Sequence, residues 1–182
     1  MIRKLEDADI DQVMQIWLDG NREAHPFIAE QYWLDNFPLV QSQLPQAEVY
    51  VWDAEGAVLG FIGLEESYIA GIFVEQKHRS LGIGKKLLAH AKKDHLSLSL
   101  SVYQQNKRAV DFYRREGFVV SAEGVDDQTA MAEYTMTWSK EVISLKCPTP
   151  SQTLMPDSIS TPSFNAIIRD FGKFKKLIPV QR

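Results

Sequence analysis

Apolar positions recur at Ile10, Val13, Met14 and Trp17, the i, i+3, i+4, i+7 spacing that lines one face of a helix. Ahead of them Ile2 to Glu6 reads as a short strand, with Asp7 or Asp9 placed to cap the helix, which is expected to end near Gly20. A loop from Asn21 to Pro26 leads to a second helix, roughly Glu30 to Gln43, interrupted by Pro38 and carrying Tyr32, Trp33 and Phe37 as core aromatics. Glu48 to Trp52 and Val58 to Leu64 flank Asp53 to Gly56 and read as a hairpin. Tyr68 to Val74 follows as a strand in which Gly71 marks a bulge or a close backbone approach.

A helical pattern at Ile83, Leu87, Leu88 and Ala91 then runs to about Asp94. Leu96, Leu98, Leu100 and Val102 alternate with Ser97, Ser99 and Ser101, a period of two that predicts a strand with one buried face. Asn106 to Glu116 reads as a helix closed by Gly117 at the C′ position. Asn106 and Tyr113 are seven residues apart and so fall on nearly the same face of it, two turns apart. Two last strands, Phe118 to Ala122 and Glu133 to Trp138, enclose an acidic loop with Glu123, Asp126 and Asp127. Beyond them the pattern changes. Pro148, Pro150, Pro156 and Pro162 among Ser and Thr mark a linker over 141–163, and Phe164, Ile167, Ile168, Phe171 and Phe174 suggest a short basic amphipathic helix or disordered tail over 164–182. A folded domain is therefore expected over 1–140.

Composition narrows the function classes. At 182 residues and 45% hydrophobic content the chain can bury one sizeable core. Residues 164–182 carry a net charge of +4, leaving −8 for the rest, a balance that argues against a broad nucleic-acid surface and for cationic partners such as amines. Cys147 is the sole cysteine, so neither an intrachain disulfide nor a cysteine-based zinc site is available, and His78, His90 and His95 show no metal-ligand spacing. The amino terminus has no apolar signal-peptide core and no stretch approaches 18 apolar residues; a cytoplasmic location, with no membrane span, is the expectation.

The candidate chemistry centres on Val74 to Leu88, V-E-Q-K-H-R-S-L-G-I-G-K-K-L-L. Gly82 and Gly84 permit a sharp turn into a helix whose first-turn N–H groups lack intrahelical partners, a natural seat for phosphate. A Walker A loop is excluded, because Arg79 stands where its first Gly belongs and Lys86 where its Ser or Thr belongs; a dinucleotide fingerprint is excluded by Leu87. These residues alone fit either a plain strand-to-helix turn or an anion site.

The order of elements resembles the GNAT superfamily of acetyl-CoA-dependent N-acetyltransferases. Arg79 to Gly84 fits its [Q/R]-x-x-G-x-[G/A] loop, and V-Y-Q-Q-N-K-R-A-V-D-F-Y-R-R-E-G-F, Val102 to Phe118, fits its second signature, about 22 residues further on. H-P-F-I at His25 to Ile28, Tyr32-Trp33, Pro38 to Val40 and V-Y-Q-x-N look most like the bacterial YiaC-like acetyltransferases. The resemblance runs from residue 1 to about 140. It implies an α/β GNAT fold: a mixed, mostly antiparallel sheet of about seven strands, helices on both faces and a splayed central strand pair.

It also implies acetyl-CoA as cosubstrate, no metal, and transfer to a primary amine, most simply a protein lysine or amino terminus, by direct attack in a ternary complex. A sensor that binds acetyl-CoA without turnover, a polyamine acetylase and an aminoacyl-tRNA acetylase are the competing readings; monomer and homodimer are both open. Ile72, Phe73 and Val74 would offer backbone groups to pantetheine, and Arg79, Ser80, Leu81, Gly82, Ile83, Gly84 and Lys85 would hold pyrophosphate. Asn106 would bond the cofactor arm or an ordered water. Tyr113 would be the general acid for the departing thiolate, with His25, Phe27 and Tyr32 on the substrate side. The strand Tyr68 to Val74 contains no acid, so Glu65, Glu66 and His25 are the candidates for the base.

Overall fold

The computed structural model describes residues 1–140; the expectations for 141–163 and 164–182 lie outside the described residues. Seven strands form one sheet: β1 (Ile2–Lys4), β2 (Glu48–Ala54), β3 (Ala57–Glu65), β4 (Tyr68–Val74), β5 (Ser97–Tyr103), β6 (Val119–Val125) and β7 (Ala132–Ser139). Their order is β1-β2-β3-β4-β5-β7-β6, and every neighbouring pair is antiparallel except β4 and β5. The helices are α1 (Ile10–Ala24), α2 (Glu30–Gln43), α3 (Ile83–Asp94) and α4 (Lys107–Arg115).

Alternation along the strands sorts the core into two layers. Ile72 and Val74 of β4, with Leu98, Leu100 and Val102 of β5, pack against Ile83, Leu87 and Leu88 of α3 and Val110 and Tyr113 of α4. Ala70, Phe73 and Tyr103 face Trp17 of α1 and Trp33 of α2 on the opposite side. Each fully buried large apolar side chain stabilises this arrangement by about 1.5–3 kcal/mol.

Three expectations are corrected. Gly20 does not end α1, which continues to Ala24; Gly20 and Asn21 are buried, and the Asn21 amide donates to the Trp17 carbonyl at 2.9 Å, so packing overrides the weak helix preference of both. Pro38 does not interrupt α2, because it lies on the exposed side, where the carbonyl it cannot serve is within reach of water. Asp9 makes no side-chain cap bond to α1; its carboxylate pairs with Arg3 at 2.6 Å and accepts the Glu6 N–H at 2.8 Å, which together hold its pKa below the usual carboxylate value.

The break in the sheet positions the site. β4 and β5 share only the Tyr68–Ser99 register pair, with Ser99 N–H donating to the Ser67 carbonyl at 2.9 Å, and then diverge. On the other edge β4 stays paired with β3, but the register shifts between Gly63–Gly71 and Leu64–Ile69, leaving Ala70 as the extra residue of a bulge beside Gly71. The bulge increases twist where the two strands part.

Candidate active site

At the end of β4 the chain enters α3 through two left-handed residues, Ser80 at φ 62° and Gly82 at φ 80°. A Cβ on Gly82 would meet nothing within 4 Å, so its glycine answers to backbone conformation rather than space. At Gly84 a Cβ would make only ordinary contacts, 3.7 Å from Val74 and 3.8 Å from Ile72, which suits a position where Gly and Ala both fit. The first intrahelical bond is Lys86 N–H to the Gly82 carbonyl, so the amides of Ile83, Gly84 and Lys85 precede the helical ladder and present a positive helix end.

The expected charges divide. Arg79 turns inward, 8% exposed: its Nε donates to the Val74 carbonyl at 3.0 Å and its Nη1 pairs with Glu23 at 2.6 Å, so it braces the turn against α1. Lys85 is exposed, 3.7 Å from the Glu116 carboxylate, and Leu81 is exposed as well. A cavity of about 400 Å³ opens next to the turn, between Glu23, Phe27, Arg79, Asn106, Lys107 and Arg108. The last two cations stand at the start of α4.

Asn106 is the N-cap of α4, its Oδ1 accepting the Ala109 N–H at 3.1 Å. Its amide Nδ2 lies 3.1 Å from His25 Nε2, while His25 Nδ1 lies 3.1 Å from the Asn21 carbonyl. A carbonyl accepts only, so Nδ1 carries the proton and Nε2 receives the Asn106 amide. His25 is wholly buried, and burial pulls its pKa down to about 3 against the modest support of the Asn21 carbonyl. It is therefore a neutral crosslink between α1 and α4, not an exposed lip or an available base. Phe27 sets its ring edge-on to His25 and to Tyr103 at 5.6 and 5.8 Å.

Tyr32 donates to Gln128 at 2.9 Å, and burial, with Asp126 nearby, pushes its pKa up to about 12. Glu65 pairs with Tyr68 beside the β3–β4 turn that holds Glu66, at the closed end of the break. The other histidines have local partners: His78 meets Glu75, His95 meets the Ala91 and Glu66 carbonyls, and the His90 ring stands edge-on to Tyr50. No group of three possible metal ligands occurs among the described residues.

Tyr113 is fully buried between Phe112 and Phe118, and its hydroxyl finds no hydrogen-bond partner among the described residues. Burial first, and Tyr68 second, raise its pKa well above the ordinary phenol value. An unpaired buried hydroxyl costs about 1–3 kcal/mol unless water or a ligand completes it, and this one lies on the α3/α4 side of the sheet, where β4 and β5 part.

Four participants escaped the sequence reading. Glu23 holds Arg79, Tyr68 donates a side chain to the break, Ser101 carries a buried hydroxyl without a partner, and Gly60 leaves room for β4, since a Cβ there would come within 2.6 Å of the Phe73 carbonyl. Only Gly60, a glycine inside a strand pattern, carried a readable signal.

Residues 45–120 match the family model described as the acetyltransferase (GNAT) domain. Together with 35% identity to a curated member over 140 residues, this shows that the chain belongs to the GNAT acetyltransferases. That member is the peptidyl-lysine N-acetyltransferase YiaC of Escherichia coli K12, aligned over 76% of this chain and 96% of the relative. The peptidyl-lysine N-acetyltransferase YjaB of the same organism is 30% identical over 128 residues, covering 69% of this chain and 87% of the relative. The solution structure of apo YjaB superposes with a TM-score of 0.68 at 27% identity, over 75% of this chain and 95% of that one. The seven-stranded mixed sheet with its splayed centre is thus the GNAT fold, and the protein is an N-acetyltransferase.

Proposed function

We propose that the protein transfers the acetyl group of acetyl-CoA to a protein lysine or amino-terminal amine, by direct attack with both substrates bound. The observation that carries the reading is the buried, unpartnered Tyr113 hydroxyl beside the break between β4 and β5. The names of the YiaC and YjaB relatives support a peptidyl-lysine acceptor, and Asp126, close enough to Tyr32 to raise its pKa, supports a cationic one.

Acetyl-CoA, when bound, supplies an acyl group activated as a thioester. The amides of Ile83, Gly84 and Lys85 hold its phosphates. Backbone groups of Ile72, Phe73 and Val74 align the pantetheine arm in the break, and an N–H near Val74 serves the thioester oxygen. Tyr113 holds a proton where sulfur leaves. Handing that proton to a thiolate exchanges one buried anion for another, so the burial that disfavours phenolate disfavours the thiolate too and leaves the transfer feasible. The amine reaches the site neutral after shedding a proton to water, since β4 offers no carboxylate.

The test is thiol release and mass spectrometry with acetyl-CoA and a panel of lysine peptides, peptides with a free amino terminus, polyamines and aminoacyl-tRNA. Acetylation of lysine or amino-terminal peptides at least tenfold above polyamines is expected. Binding of acetyl-CoA without release across the panel would instead establish a sensor.

A further inference from the structure

Tyr68 opens β4 at the only register pair it makes with β5, and its ring packs on the α1/α2 face, opposite Tyr113. Its hydroxyl spans the break to accept the Ser101 N–H at 3.2 Å. That amide follows Ser99 N–H, the last β5 donor bonded to the strand-β4 side through Ser67, so a side chain has taken over where the backbone ladder stops. A phenylalanine would fill the gap equally well, yet a phenol is present. The residue is partly exposed on this face, and the Ser101 hydroxyl beside it is buried without a partner. Burial, helped by the negative charge of Glu133 and Asp126, raises the phenol's pKa against the Ser101 contacts that lower it, so the phenol keeps its proton. Tyr68 is thus no proton acceptor. Its oxygen, however, retains acceptor capacity after taking the Ser101 N–H.

We propose that Tyr68 is the acceptor-side residue of the reaction: its phenol oxygen, fixed by the Ser101 amide, receives an N–H of the incoming amine and turns the nitrogen lone pair toward the acyl carbon. The inference rests on the transfer reading above and adds a second tyrosine on the opposite face of the break. As the C–N bond forms, the C–S bond breaks. Tyr113 gives its proton to sulfur, and the proton shed by nitrogen returns through water to Tyr113, so that amine and thioester yield amide and thiol. Tyr68 keeps its own proton throughout.

Tyr68→Phe separates the two tyrosines, assayed by thiol release with a lysine peptide and by calorimetric titration with acetyl-CoA. The expected result is an acceptor kcat/KM lowered about tenfold, with the acetyl-CoA Kd within about threefold of wild type. Tyr68→His, which keeps a ring and a hydrogen-bonding atom, is expected to recover part of the lost kcat/KM. An unchanged acceptor kcat/KM in Tyr68→Phe would overturn the proposal. So would acetyl-CoA affinity falling in parallel with kcat/KM in both variants, which would make Tyr68 a wall of the donor channel. Wild-type turnover in the same assay checks the underlying reading: its absence would overturn both, whereas turnover with an insensitive Tyr68 would overturn this inference alone.

Discussion

The α3/α4 side of the break carries the first-turn backbone amides of Ile83, Gly84 and Lys85 and one buried phenol, Tyr113. The α1/α2 side is built from side chains held across long stretches of sequence: Tyr32 by Gln128, Tyr68 by Ser101 and, buried behind them, His25 by Asn106. The first side needs glycines at fixed spacing and one helix end, which a short motif can encode. The second needs partners 96, 81 and 33 positions apart, which no local pattern encodes. The proposed donor side is thus encoded locally, and the proposed acceptor side only by the tertiary fold.

Asn106 joins the two sides, and its loss should have the largest effect on the fold. Asn106→Ala removes the α4 cap and leaves the buried His25 Nε2 without its donor, for a combined loss of about 2–4 kcal/mol in urea unfolding. A loss below about 1 kcal/mol would mean that the crosslink contributes nothing beyond the cap.

Next in size is the contrast within the glycine turn. Gly82→Val forces a β-branched residue to φ 80°, and about a tenfold loss of acetyl-CoA affinity is expected by calorimetry. Gly84→Ala, which meets only ordinary contacts, should stay within about threefold. Equal losses at both positions would contradict the assignment of Gly82 to conformation and Gly84 to tolerated space.

His25 supplies a test by pH. Above its ordinary pKa of 6.5 the ring is neutral in both folded and unfolded chains and adds no slope. Between 6.5 and about 3 the unfolded chain binds a proton that the folded one refuses, so stability should fall with falling pH, by at most roughly 1.4 kcal/mol per unit. His25→Gln should flatten that limb. Asp9, with its pKa lowered from 3.8, acts only below that value and so cannot account for loss beginning near neutrality. An unchanged slope in the variant would show that His25 titrates in the folded protein.

The smallest effect is expected at Tyr32. Tyr32→Phe removes one partly exposed hydrogen bond to Gln128 and should cost less than about 1 kcal/mol of stability. The acceptor kcat/KM should fall about two- to fourfold, and acetyl-CoA affinity should be unchanged.

The same division explains what could be read before the structure. β4, α3 and the C′ role of Gly117 were legible because each rests on local periodicity or on a glycine, and Gly117 indeed sits at φ 87°. The glycine loop was legible for the same reason. His25 was not, since the neutral crosslink exists only once Asn21 and Asn106 are brought to its two nitrogens. Arg79 was expected at the phosphates and is instead engaged by Glu23, 56 positions away. Leu96, expected in the buried face of β5, is 73% exposed because the strand begins one residue later.

The central claim is that the unpartnered Tyr113 phenol protonates the departing sulfur. Tyr113→Phe removes one oxygen from a site that is otherwise apolar, so the fold and acetyl-CoA affinity should be kept while kcat for a lysine peptide falls about 100- to 1,000-fold, read by thiol release with parallel calorimetry. A variant that binds acetyl-CoA normally and turns over at the wild-type rate would contradict the account.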